Sequence, residues 1–191
     1  ERKIVNNLLE KTQTIEKLSV EKNLNKQIQV VLSGSAGEGV QLAATILCKA
    51  AVKHGYNITQ KGTYPVTVGV GFSNAEVNIS PNEIHFHGLS NPEYMIVTSQ
   101  DGYDYSKKTM QNLSANSILF LDQSLPLPET KANVVVADFR SKGVKNAVIT
   151  ALFSFAKKTN VISTDTLKTI LSEMNMLEKF PIVEIEKELA Q

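Results

Sequence analysis

The sequence predicts an α/β protein with a doubly wound, mostly parallel sheet, an inserted β-hairpin and a helix at the N-terminus. Short apolar segments, typical of strands buried on both faces, alternate with longer segments that have the apolar spacing of helices. A more polar stretch with the alternation of a half-exposed hairpin interrupts this order after the second strand. The length fits one α/β domain, residues 27–191, preceded by an N-terminal extension, residues 1–26.

The N-terminal extension has apolar residues at helical spacing. Because charged and polar residues lie between them, the pattern predicts an amphipathic helix, and a solvated extension is the alternative. The apolar side of such a helix would need a partner surface, either on this domain or on another chain. The residues that form this side are Ile4, Val5, Leu8, Leu9, Thr12, Ile15 and Leu18.

The domain opens with a strand, a helix and a second strand. β-Branched residues predict a strand at 27–33, and an Ala- and Leu-rich segment predicts a helix at 37–54, where Gly55 suits the position after the helix end. The second strand is predicted at 56–60, followed by a glycine-containing loop at 61–72.

The rest of the chain continues the alternation of strands and helices. This order is that of a Rossmann-like sheet, in which ligands bind beyond the carboxyl ends of the strands. The predicted elements are a hairpin at 75–80 and 83–87, strands at 94–98, 117–121 and 133–137, helices at 101–113, 144–157 and 165–176, and a short strand in the tail from residue 180.

Composition excludes several classes of function. The single cysteine, Cys48, cannot supply the four thiolates of an iron–sulfur cluster or form an internal disulfide. A net charge of +1 gives no general attraction to nucleic acid or to an anionic membrane. No apolar run approaches the roughly 18–20 residues of a membrane span, and the charged N-terminus is unlike a signal peptide. A cytoplasmic location is therefore expected.

A glycine segment between the first strand and the first helix is the sharpest local motif. Its glycines allow a tight turn, and the exposed amides at a helix start favour an anionic group. The spacing is G-x-x-G-x-G, which is neither the dinucleotide-binding pattern nor a P-loop. Binding of an anion or cofactor and a purely structural turn both remain open. The segment consists of Gly34, Ser35, Ala36, Gly37, Glu38 and Gly39.

The region after the glycine segment disfavours NAD. A dinucleotide site places an acidic residue about 20 residues further on, to bind the ribose hydroxyls. Between Glu38 and Glu76 the sequence contains no Asp or Glu, and Lys61 follows the second strand. Lys61 could instead contact a phosphate of NADP or coenzyme A, or be a solvated lysine.

Other reactive side chains give no catalytic constellation and no metal site. His85 and His87 would share one strand face, but further ligands have no local source. Cys48 is expected to be an inert core thiol. Asp101 is expected to cap the helix that follows it, and Asp122 to be a structural turn residue.

Several short motifs occur in a fixed order. The glycine segment continues into Val40, and residues 34–40 are similar to a family motif of the form G-x-G-G-Q-G-V. Thr63 and Tyr64 begin a segment at the position of a second motif of the same family, which often has the sequence S-Y-G-P-E-x-R-G-G. Residues 80–84 (Ser-Pro-Asn-Glu-Ile) and 97–100 (Val-Thr-Ser-Gln) follow at matching distances. On these motifs, the sequence from about residue 27 to 125 resembles the gamma subunit, or gamma domain, of 2-oxoacid:ferredoxin oxidoreductases.

The chain departs from that family's usual motifs at a few positions. Ala36 and Glu38 stand where the family has Gly and Gln. Thr67 and Gly69 stand where it often has Glu and Arg. The acid acted on, which in the family is pyruvate, 2-oxoisovalerate, 2-oxoglutarate or indolepyruvate, is therefore left open.

The resemblance implies a non-catalytic gamma subunit of an oxidative decarboxylase. Thiamine diphosphate and iron–sulfur clusters would lie on alpha, beta and delta (ferredoxin-like) partners, and this chain would shape the approach of coenzyme A. The implied contact residues are the glycine segment with Lys61, Thr63 and Tyr64. A small NADP-dependent reductase and a coenzyme A- or adenylate-binding module are the alternatives.

Overall fold

The computed structural model describes residues 24–65, 69–85 and 91–189. The predicted N-terminal helix therefore lies outside the described residues. The strands are β1 (Ile28–Ser35), β2 (Asn57–Thr63), β3 (Phe72–Ser80), β4 (Tyr94–Val97), β5 (Ile118–Asp122) and β6 (Asn133–Ala137). The helices are α1 (Val40–Lys53), α2 (Gln100–Gln111), α3 (Ala147–Thr159), α4 (Thr164–Glu173) and α5 (Ile182–Leu189).

The six strands form one sheet in the order β2-β3-β1-β4-β5-β6. Strands β1, β4, β5 and β6 are parallel, whereas β3 is antiparallel to both of its neighbours, β1 and β2. Helix α2 covers one face, and α1, α3, α4 and α5 contribute to the core on the other. The predicted mostly parallel α/β sheet, with helices on both faces, is confirmed.

The inserted hairpin is formed by different segments from those predicted. Residues 72–79 of β3 pair with β1 on one side, and residues 74–80 pair with β2 on the other. Residues 83–85 are not in a strand, and 86–87 lie outside the described residues. The predicted pairing of 75–80 with 83–87 is therefore wrong, because β3 finds its partners in β1 and β2.

The tail is a helix, and the predicted short strand is wrong. Ile182, Ile185 and Leu189 recur at helical spacing, and the first two are buried against the larger core. That periodicity outweighs the β-propensity of Ile182 and Val183, because it places the apolar side chains on one packed face.

Helix α1 begins at Val40, three residues later than predicted. Gly37 and Gly39 have φ angles of +87° and +84°, which are left-handed conformations that a helix start cannot contain. At the other end Gly55 has φ +77°, as the sequence predicts for the residue after a helix.

Two apolar cores hold the sheet between its helices. The larger core joins α1, α3, α4 and α5 to the sheet, and within it Phe155 contacts Tyr94 and Phe120 edge to face. The smaller core lies under α2, where Tyr103 and Met110 are buried. No helix among the described ranges is long and apolar enough to cross a membrane.

Candidate functional site

The candidate site lies where β1 and β4 end side by side. From the end of β1 the chain turns through the glycine segment into α1, and from the end of β4 it turns through Thr98 and Ser99 into α2. The strand order diverges here, because β3 and β2 lie to one side of β1 and β4 to the other. In doubly wound sheets such a divergence is the usual position of a ligand crevice.

The glycine segment is a tight turn that contacts its surroundings through its backbone. The amide of Ala36 donates to the carbonyl of Gly71 over 2.7 Å, which ties the turn to the start of β3. A Cβ atom on Gly34 would lie 2.8 Å from the hydroxyl oxygen of Thr98. Small residues are therefore required by close approach at Gly34 and by left-handed backbone at Gly37 and Gly39.

The carboxylate of Glu38 fills the turn. Its Oε2 accepts hydrogen bonds from the amide of Ser35 at 3.1 Å and from the hydroxyl of Thr98 at 3.3 Å, and the residue is only 3% exposed. An amide of the turn is thus already bound to a negative group of the chain itself. The turn, for which the sequence left both anion binding and a purely structural role open, therefore has a carboxylate of its own chain bound to it.

Arg140 balances this buried carboxylate. Its Nη1 donates to Glu38 Oε1 at 2.7 Å and to the carbonyl of Thr98 at 2.8 Å, and its side chain is 28% exposed. Because Arg140 follows β6, one ion pair joins the carboxyl ends of β1, β4 and β6. Sequence reasoning missed this residue, although it is one of only two arginines in the chain and follows a buried strand.

A second polar contact links the turn to α2. The hydroxyl of Ser35 donates to Asp101 Oδ2 at 2.7 Å. The prediction that Asp101 caps α2 is wrong, because Ser99 is the cap and accepts from the amide of Gly102. Asp101 lies instead in the first helical turn, where a carboxylate is stabilised by the helix dipole and is free to bind Ser35.

Helix α2 approaches the backbone of β1 very closely. A Cβ atom on Gly102 would lie 2.6 Å from the backbone nitrogen of Gly34, a position that cannot yield. Beside it, Ser33 donates to the carbonyl of Gly102 and accepts from Ser106, and both serine side chains are buried. The turn is therefore held from below by packing and hydrogen bonds that leave little freedom of movement.

Lys61 and Thr63 are not brought to the glycine segment. Both lie on β2, and β3 separates that strand from β1. Two strand spacings amount to about 10 Å. Lys61 stands opposite Glu76 of β3, so its nearest charge in the ladder is a carboxylate. Tyr64, which follows β2, is 67% exposed.

Aromatic side chains lie beside the glycine segment. Phe72 pairs with Ser35 in the β1–β3 ladder and stacks on Tyr105 of α2, with ring centroids 3.7 Å apart and planes within 13°. Tyr105 is 44% exposed, and Val70 nearby along the chain is also exposed. Sequence reasoning missed this pair, because its two rings come from segments 33 residues apart.

Cys48 is an unreactive thiol of the core. Cys48 is buried, donates to Gln60 Oε1 at 3.4 Å, and has its pKa raised to about 11 by burial. A thiol of that pKa is protonated near neutral pH, which supports the predicted inert role. Within the described ranges, no three His, Cys, Asp or Glu side chains lie together so that they could hold a metal ion.

Curated proteins with similar sequences are subunits of 2-oxoglutarate synthase. The chain is 27% identical over 180 residues to subunit KorC from Methanocaldococcus jannaschii, a match that covers 84% of this chain and 95% of that protein. It is also 27% identical over 100 residues to subunit KorC from Archaeoglobus fulgidus, where the match spans 52% of each chain.

Solved structures with the same fold come from related enzymes. The 2-oxoglutarate:ferredoxin oxidoreductase from Magnetococcus marinus, solved with 2-oxoglutarate, coenzyme A and succinyl-CoA bound, matches with a TM-score of 0.73 at 16% identity. That match covers 87% of this chain and 30% of the other. The keto/oxoacid ferredoxin oxidoreductase gamma subunit from Geobacter sulfurreducens matches with a TM-score of 0.64 at 22% identity, covering 79% and 90% of the two chains.

A family model matches most of the domain. The model of the pyruvate ferredoxin/flavodoxin oxidoreductase family matches residues 29–185, which include all six strands of the sheet except Ile28, the first residue of β1. The resemblance that the sequence motifs suggested is thereby confirmed, and the chain belongs to the pyruvate ferredoxin/flavodoxin oxidoreductase family.

Proposed function

We propose that this chain is the gamma subunit, or a gamma domain, of a 2-oxoacid:ferredoxin oxidoreductase. The observation that carries the proposal is the family match over residues 29–185. The names of the KorC relatives support a 2-oxoacid as the substrate class, and the likeness to a solved gamma subunit supports the placement within the enzyme.

In this proposal the chain contributes shape and contacts, and its partners contribute the reactive centres. Thiamine diphosphate, which activates the 2-oxoacid for decarboxylation, and the iron–sulfur clusters, which carry the electrons, belong to alpha, beta and delta partners. The single cysteine of this chain does not fit a cluster that needs four thiolates. The closed turn around Glu38 and Arg140 supports a structural role for the glycine segment.

We assign the rim of the site to contact with coenzyme A or with the neighbouring subunit. The rim consists of Lys61, Thr63, Tyr64 and Tyr105. Tyr64 is 67% exposed and Tyr105, whose ring stacks on Phe72, is 44% exposed, and exposed aromatic rings can stack on flat heteroaromatic rings. Lys61 and Thr63 lie on β2, which leads to Tyr64, and Lys61 supplies a positive charge for a phosphate. Residues of the glycine segment would then position this rim without binding the ligand through their amides.

The reading as a small NADP-dependent reductase loses support. In the turn that would bind its phosphate, the Ser35 amide is already bound to the Glu38 carboxylate. Its ribose-phosphate contact, Lys61, lies two strands away from that turn. The other alternative, a coenzyme A-binding module, differs from the favoured function because it would act without redox partners and would not be part of an enzyme complex.

The cytoplasmic location stays a prediction.

Isolation of the tagged chain from its own cells tests the proposal. We expect it to bring down partners that contain thiamine diphosphate and iron–sulfur clusters, and the assembly to reduce a viologen dye when a 2-oxoacid and coenzyme A are both supplied. A native particle that contains this chain alone, or an assembly whose dye reduction is indifferent to every 2-oxoacid, would contradict the proposal.

The coenzyme A contact is tested separately on the assembled enzyme. Tyr64→Ala and Tyr105→Ala should raise the KM for coenzyme A several-fold and leave the KM for the 2-oxoacid unchanged. Val183→Ala is the control, because Val183 is an exposed apolar residue on α5, a helix that contains none of the proposed contact residues. Equal effects of all three variants on the KM for coenzyme A would contradict a coenzyme A contact at this surface. The assignment as a gamma subunit would be unaffected.

A further inference from the structure

The free edge of β6 is unusually apolar for a strand at the edge of a sheet. The strand reads Asn-Val-Val-Val-Ala, a composition typical of strands with neighbours on both sides. Val136 is nevertheless 48% exposed, and Leu127, in the loop that leads into the strand, is also exposed. Edge strands normally carry lysine, proline or a bulge that prevents pairing with another chain, and β6 has none of these.

Within the part of the chain that the structure describes, the outer edge of β6 has backbone hydrogen-bonding groups that no other strand pairs with. The amide of Asn133 donates to the carbonyl of Ser117, and the carbonyl of Ala137 accepts from Gln123, so residues of odd number face β5. Because successive residues face opposite sides, Val134 and Val136 direct their amides and carbonyls outward. Among residues 24–65, 69–85 and 91–189, no other strand pairs with this edge. The chemistry that fits the edge is another strand.

The opposite edge of the sheet is protected. Strand β2 contains Lys61 next to its central residue, followed by Gly62, and its other residues are mostly polar. A charged side chain and a glycine both disfavour the addition of a strand. The contrast between the two edges indicates that β6, and not β2, is suited to association.

The charges at the two ends of β6 are complementary to those of a second β6 strand that runs antiparallel to it. Lys131 precedes the strand, Asp138 follows it, and both are exposed. Antiparallel pairing of β6 with β6 of a second copy, centred on residues 134–136, brings Lys131 of each copy within about one residue of Asp138 of the other. Parallel pairing would place like charges together.

We propose that the edge of β6 is a docking surface for a second copy of this chain, paired antiparallel so that the two sheets become continuous. The contact is small compared with the roughly 1,200 Å² of a stable complex. The isolated chain should therefore dimerise weakly, with the dimer growing as the concentration rises. This inference does not depend on the proposed function.

Sedimentation of the complete chain over a range of concentrations measures the association. Val136→Lys should weaken the dimer about tenfold or more, because a lysine on an edge strand opposes pairing. Asn57→Lys makes the same change in charge on the exposed start of β2 and should leave association unchanged. Circular dichroism of each variant reports whether it is folded.

Charge reversal at the two exposed positions Lys131 and Asp138 provides the decisive test. Lys131→Asp and Asp138→Lys should each weaken the dimer about tenfold, because each creates two like-charge contacts across the twofold axis. The double variant should recover the original affinity, because the charges are again opposite. A chain that stays monomeric up to millimolar concentration, or a double variant as weak as the singles, would overturn the proposal. So would association that all three β6-edge variants leave unchanged, since that would place the contact elsewhere.

Discussion

Removal of Arg140 should destabilise the fold more than neutralisation of its partner Glu38. Loss of one partner from a buried ion pair costs about 3–5 kcal/mol, because the remaining charge is left without compensation. Glu38 is 3% exposed and Arg140 is 28% exposed. Water therefore reaches the arginine side of the pair, and Arg140→Ala is expected near the lower limit, at about 3 kcal/mol.

Glu38→Gln removes the charge and keeps the shape. The amide oxygen of glutamine can still accept from the Ser35 amide, and Arg140 keeps its bond to the carbonyl of Thr98 and its access to water. The expected loss is about 1–2 kcal/mol, the cost of weakening hydrogen bonds to a charged group. The double variant should lose about 3 kcal/mol, because Arg140→Ala costs less once the carboxylate is gone.

Urea unfolding followed by circular dichroism measures these losses. Lys26→Ala is a matched control, since Lys26 forms an ion pair with Glu93 but is 74% exposed, and its loss should cost less than about 0.5 kcal/mol. Additive effects of Arg140→Ala and Glu38→Gln within about 0.5 kcal/mol would refute the reasoning, because independent residues add. A larger loss for Glu38→Gln than for Arg140→Ala would refute it as well.

Three further predictions follow from packing and burial. Gly102→Ala should lower the free energy of unfolding by about 1–3 kcal/mol although alanine favours helices, because the added Cβ would meet fixed backbone. Gly62→Ala should cost less, because the Cβ there would meet the end of a glutamine side chain, which is more flexible. Urea unfolding compares the two variants. Burial lowers the pKa of His54 from its ordinary 6.5, so the unfolded chain binds the proton more readily than the folded chain. Stability should therefore fall as the pH drops below about 6.5. His54→Asn should weaken this pH dependence, as measured by thermal unfolding at pH 5 to 7. Cys48 should react with a thiol reagent at pH 8 far more slowly in the folded chain than in urea, because burial raises its pKa to about 11.

The strands of the parallel part of the sheet could be predicted from the sequence because their signal is local. Strand β6 has the predicted bounds, and β5 differs by one residue at each end. Continuous apolar, largely β-branched runs are stable only between two covered faces, so composition alone specifies them. The end of α1 was equally predictable, because Gly55 has the left-handed conformation that a helix end requires.

The position of β3 could not be predicted because it depends on distant partners. Ala75, Val77 and Ile79 alternate with polar residues, which predicts a half-buried strand and says nothing about its neighbours. The turn at Ser80, Pro81 and Asn82 predicts pairing with 83–87, whereas β3 pairs with β1 and β2. Pairing with both β1 and β2 buries the apolar face of β3 under α1, and that gain is visible only in the assembled fold.

The electrostatics of the candidate site were hidden for the same reason. Glu38 and Arg140 are separated by 102 positions, and no local pattern links them. The glycine segment alone indicates a turn with exposed amides, which is equally suited to a bound anion and to a buried carboxylate. Only the packing of the loop after β6 against the end of β4 decides between them.

The insertion of β3 and the burial of Glu38 both make the site less suited to a dinucleotide. In a dinucleotide-binding sheet the second strand lies next to the first, and its end supplies the ribose contact. Here β3 occupies that position and moves the end of β2 about 10 Å away. The Glu38 carboxylate also accepts from the Ser35 amide, which a bound phosphate would otherwise contact. Either change alone could be accommodated by a displaced ligand. Together they make this edge less suited to a dinucleotide, which is why the proposed contact with coenzyme A is placed on the exposed aromatic residues Tyr64 and Tyr105.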